Sequence, residues 1–187
     1  MKRGLRAGLA TIVPVIALSV LLAQMEHGPR TWDHLLTLPG ARPRLHFAKA
    51  LMMMALVTAM TALLFVATVG SAALVTRLRP VNGTLEAATL SWTMARMVAA
   101  AGLVCMLQLW VALRFRSFVP PLVFGIAGTF VAVAATSAKQ GLYFPWLMAV
   151  NLLATEPERQ QVALMLGGLG GIGALAAMVV HLNVREA

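Results

Sequence analysis

Charge is scarce in this sequence: 11% of its 187 residues are charged, against roughly a quarter in an ordinary soluble domain. Acids are scarcer still, with six Asp and Glu facing 15 Lys and Arg. That deficit excludes a water-soluble fold. No acid lies deep in an apolar stretch, which weighs against a hydrolase or proton-transfer centre buried among helices. The chain has one cysteine, Cys105, so neither an internal disulfide nor a thiolate metal cluster can be drawn within it. Cys105 sits in an apolar run and reads as a buried, inert thiol. The excess of bases, a net +9, would point to nucleic acid in a soluble chain. Here the bases stand between apolar stretches, without the clustered basic and aromatic alternation of a nucleic-acid binder, and they fit cations placed beside lipid headgroups.

What the chain has in abundance is hydrocarbon, 60% of its residues being hydrophobic. Crossing about 30 Å of bilayer core takes about 20 mostly apolar residues in a helix, and five stretches qualify: residues 7–24, 50–76, 90–113 (interrupted by Arg96), 117–138 and 160–184. Pro39, Pro43, Pro80 and Pro157 punctuate the connections. The expected fold is all-α, a single polytopic transmembrane bundle over residues 1–187 with about five spans. Lys2, Arg3 and Arg6, followed by an apolar core and Ala17-Leu18-Ser19, imitate a cleavable signal peptide. Apolar sequence resumes at Val20, which favours a membrane span. With a cytoplasmic C-terminus the positive-inside tally ties at seven bases on each side, and setting aside the three N-terminal bases makes it seven to four for that orientation.

The connection MEHGPRTWDHLLTLPGARPRLHFAK, residues 25–49, differs from the other loops in carrying a short amphipathic piece. Thr31 can cap a helix on which Trp32, Leu35, Leu36 and Leu38 share a face until Pro39-Gly40 ends it. Such a helix lies flat at the interface or fits a partner groove.

In this region the chain resembles the permease subunits of ABC-2 type ABC transporters, in particular the lantibiotic and peptide-antibiotic immunity branch. The resemblance rests on Glu26, Thr31-Trp32, Leu35-Leu36-Thr37-Leu38-Pro39, Arg42, Arg44 and Ala48-Lys49. Residues 113–118 with Gly125-Ile126-Ala127-Gly128, and then Phe144-Pro145-Trp146, follow in the family's order. The resemblance implies a bacterial cell (inner) membrane permease that works as a homodimer or heterodimer. It would export or expel a hydrophobic or peptide-like substrate along a path between subunits. It further implies that cytoplasmic residues 26–49 form the coupling segment, with Trp32, Leu35, Leu36, Leu38 and Pro39 meeting an ATP-binding subunit and Arg42 and Arg44 flanking the contact, and that residues 139–159 form an outer segment. No Gly-x-x-x-x-Gly-Lys sequence is present, so ATP and Mg are expected on the partner and no cofactor on this chain. Set against the family pattern, an entry helix and one more span are expected ahead of residue 7, and the resemblance implies either a misassigned start or a shortened member.

Other features have plainer readings. Gly168-Leu169-Gly170-Gly171-Ile172-Gly173 matches G-x-G-x-x-G, but it lies within a span, and Gly167 with Gly171 makes the G-x-x-x-G of close helix packing. His27, His34 and His46 read as solvated interfacial residues, and Met52, Met53 and Met54 point three ways around a helix, as packing methionines do. Arg96 is either a snorkelling charge or part of a polar path. Glu26 can pair with Arg30 or belong to the same path. Pro120 and Pro121 suit the first turn of a span. A membrane anchor or assembly subunit without transport is the alternative function, and a membrane enzyme a more distant one.

Overall fold

The computed structural model describes residues 42–78, 85–115 and 117–185. Among these, helix α1 (Arg42–Leu78) is the longest at 37 residues, about 55 Å at 1.5 Å per residue. Pro43 sits in its first turn, where a missing amide donor costs nothing. Ala, Leu and Met then dominate, and the hydroxyls of Thr58, Thr61 and Thr68 fold back onto the carbonyls of Met54, Val57 and Leu64 at 2.7–2.8 Å. Each thereby finds its acceptor within the helix, as a polar group facing lipid must. The helix starts eight residues ahead of the apolar run at 50–76, so the bases of the expected connection become its opening turns.

Helices α2 (Ala87–Ala100) and α3 (Gly102–Arg114) are one span with a single relaxed residue. Ala101 keeps right-handed helical angles, and the ladder runs through it from Met97 O to Ala101 N and from Ala101 O to Cys105 N at 2.9 and 3.0 Å. Helix α4 (Val119–Ala135) opens on Pro120-Pro121 in its first turn. Two 3₁₀ turns (Lys139–Tyr143 and Pro145–Leu147) and the short α5 (Met148–Asn151) lead to α6 (Pro157–Arg185). Among the described residues, three segments are long and apolar enough to cross a membrane, Arg44–Leu78, Ala87–Arg114 and Pro157–Leu182, with the shorter apolar α4 beside them.

Packing is organised by α6. It contacts α2 beside Arg96, where Gln160 lies, passes Ala100 and Gly102 with Gly167 and Gly171, and meets Trp110 with His181. The two spans therefore run parallel, and α1 packs against both. Their shared core includes Met53, Cys105, Leu109 and Met178, none of them exposed. The outside is apolar as well: Leu63 and Phe130 are 70% and 73% exposed. Such an apolar exterior suits a molecule whose solvent is lipid.

Candidate functional site

Small residues decide how closely the helices approach. A Cβ on Gly167 would lie 2.2 Å from the Ala100 carbonyl oxygen, and one on Gly171 would lie 2.7 Å from the Gly102 carbonyl carbon. Backbone therefore touches backbone at both positions, which is the close packing that G-x-x-x-G permits. The seam pair interleaves with the glycines of the apparent dinucleotide motif, Gly168, Gly170 and Gly173, of which the last meets nothing within 4 Å. Beside this seam lies an apolar groove of about 540 Å³, walled by Phe47, Leu51 and Met54 of α1, Ala99 and Met106 of α2–α3, and Met165 and Ile172 of α6.

Most hydroxyls bond back within their own helices, but Arg96 and Gln108 join elements. Arg96 is half-buried and donates to Gln160 Oε1 at 3.3 Å, while Gln160 Nε2 donates to the Ala154 carbonyl at 2.8 Å. Arg96 is the tenth residue of its span, so its charge is met by a neighbouring amide well inside the helix. Gln108, fully buried on α3, donates to the Pro121 carbonyl at 2.7 Å and ties α3 to α4. Its Oε1 and the indole N–H of Trp146 find no partner among the described residues.

The segment after α4 folds back against the bundle. Trp146 is buried edge-on to Phe124, with ring centroids 5.0 Å apart, and a Cβ on Gly128 would collide with its indole at 2.3 Å. Gly128, seven residues before the end of α4, therefore makes the niche that the tryptophan fills. Asn151 closes the fold from the other side, its Nδ2 donating to the carbonyls of Gly141 and Leu142 at 3.1 and 3.4 Å. Phe144-Pro145-Trp146, part of the expected outer segment, is thus a plug packed on α4.

The residues expected from sequence are only partly in view. Glu26, Trp32, Leu35, Leu36, Leu38 and Pro39, with His27 and His34, lie outside the described residues. Arg42 and Arg44 begin α1, and Arg44 is exposed. His46 corrects the sequence reading: it is 5% exposed, buried in the second turn of α1, because the helix starts before the apolar run and carries this ring into the bundle. Met53 is buried and Met52 exposed, as three directions around a helix require. Gln160 and Asn151 were missed; the available signal was an isolated amide beside an apolar run.

No curated protein and no solved structure matches this chain. The family described as ABC-2 family transporter protein matches residues 5–132, more than half of the chain, including the 25–49 connection, α1, α2, α3 and most of α4. With its long apolar helices, this makes the chain an integral, multi-pass membrane protein belonging to the ABC-2 transporter family, as a permease component.

Proposed function

We propose that this permease exports or expels a hydrophobic or peptide-like substrate across a bacterial cell membrane, driven by ATP and Mg bound on a separate subunit and working with a second permease copy. The observation that carries the reading is mechanical. Pro39, where the amphipathic sequence pattern stops, stands three residues before α1 in sequence, and α1 is an unbroken 37-residue helix packed against α2, α3 and α6. A displacement delivered at Trp32, Leu35, Leu36 and Leu38 would enter a rigid rod through a short link and reach each span it touches. Coupling by a helix in a partner's groove uses apolar anchors, and these four supply them. Closure of the ATP-binding subunits would in this way be converted into alternating access.

The test is replacement of Leu35 and Leu36 by Asp. The double variant should stay in the membrane while co-purification of the ATP-binding subunit falls at least tenfold, the loss expected when two apolar anchors worth over ~1 kcal/mol are removed from an interface. Undiminished co-purification would remove the coupling assignment.

A further inference from the structure

The opening turns of α1 carry two bases that are enclosed by protein. His46 is 5% and Lys49 8% exposed, and with the buried Met53 and Val57 they follow the three-and-four spacing of one helix face. Met53 and Val57 belong to the core shared with Cys105, Leu109 and Met178, so this face is the one turned into the bundle. In sequence Lys49 stands between Phe47 and Ala50, which wall the groove together with Ala99 and Gly102, near the middle of the 28-residue span Ala87–Arg114. A snorkelling lysine keeps its ammonium in water; this one does not. An enclosed ammonium is tolerated when an anion lies beside it.

The chain has six acidic side chains, Glu26, Asp33, Glu86, Glu156, Glu158 and Glu186. Glu86, Glu156 and Glu158 are all exposed. Glu86 stands thirteen residues ahead of Ala99, about 20 Å along α2, and Glu156 is engaged by Arg159. Glu186 follows α6, whose last groove residue, Leu175, is already ten residues, or about 15 Å, from Arg185. Within this chain that leaves the connection ahead of α1, which offers Glu26 and Asp33. Glu26 stands two residues after the apolar run 7–24, and Lys49 one residue before the run 50–76. A connection that leaves the bilayer and re-enters by the same face brings the ends of its two runs to one depth, whereas an amphipathic piece at the interface keeps Asp33 outside the hydrocarbon. We propose that Glu26 is the counter-ion of Lys49, and that the pair fastens the upstream end of the 25–49 connection to the buried face of α1. Both ends of the amphipathic piece then move with α1. The part this anchor plays in coupling rests on the function proposed above; the ion pair itself does not.

The test is a charge swap in the full chain, purified with its accompanying subunits and followed by thermal unfolding. Lys49→Glu and Glu26→Lys should each lower the midpoint by about 10 °C, the scale of a stranded buried charge in a chain of this size. Combining them should recover most of that loss, while Asp33→Lys combined with Lys49→Glu should recover none. If either reversal fails to fold, Lys49→Met and Glu26→Gln close the same cycle: the double variant should be at least as stable as either single one. Single variants as stable as the wild type, losses that simply add, or recovery by Asp33→Lys in place of Glu26→Lys would overturn the pair, and additive losses would assign the anion to a lipid phosphate or another subunit. None of these midpoints depends on ATPase binding, so the pair stands or falls separately from the Leu35 and Leu36 replacements.

Discussion

A single amide illustrates how much depends on individual side chains in a body with so few polar ones. Asn151 is 7% exposed and supplies the hydrogen bonds that hold the first 3₁₀ turn in place, so removing its donor leaves two carbonyls facing protein. Asn151→Asp preserves size and loses the N–H. It should lower the stability of the detergent-solubilised protein by about 1–3 kcal/mol, the cost of stranding a buried polar group. Thermal unfolding measures this, and an unchanged midpoint would mean that the turn is held by Trp146 packing alone. Nothing in the sequence pairs Asn151 with Gly141, because the contact depends on how two irregular turns fold over each other. For the same reason Gln160 could not be named as the partner of Arg96, from which it is 64 residues distant.

Among the elements, α6 tests whether glycine is required or merely present. Gly167 and Gly173 belong to the same glycine-rich run, yet a Cβ on the first would strike the Ala100 carbonyl oxygen at 2.2 Å while one on the second meets nothing within 4 Å. Gly167→Ala should therefore destabilise the protein by about 1–3 kcal/mol through overpacking. Gly173→Ala should be neutral or stabilise it by up to about 1 kcal/mol through helix propensity. Unfolding in mixed micelles distinguishes the two; equal effects would mean that the seam yields to an added methyl group. This element was legible in advance, down to the packing role of Gly167 and Gly171, and so were the first-turn prolines of α4. Apolar length and glycine spacing are local properties. The adjacency of α6 and α2–α3, the burial of His46 and the fold-back of Phe144-Pro145-Trp146 were not legible, since helices of one apolar chemistry offer many mutual pairings and only small-residue complementarity chooses among them. The expected coupling residues Trp32, Leu35, Leu36, Leu38 and Pro39 lie outside the described residues, and their role rests on the amphipathic pattern and the mutational test above.

For the whole molecule, alternating helix directions place Arg42, Arg44, Lys49, Arg114 and Arg185 toward one membrane face and Arg77, Lys139 and Arg159 toward the other. We propose that the first face is the cytoplasmic one, the side that the positive-inside bias favours among these residues. With Cys105 replaced by Ala, an impermeant maleimide applied to intact cells should label Lys139→Cys and spare Arg44→Cys; the reverse pattern would invert the molecule and move the coupling segment to the wrong side. The parallel seam also sets an order of events during synthesis. The α2–α3 half is made long before α6, and α4 with the fold-back segment must come between them. Until α6 arrives, Ala100 and Gly102 lack their counterpart and the α6 side of the groove does not exist. The bundle cannot close progressively along α1 to α4: the backbone contacts at Gly167 and Gly171 need α6, which is made after them, and the helices already inserted must wait for it.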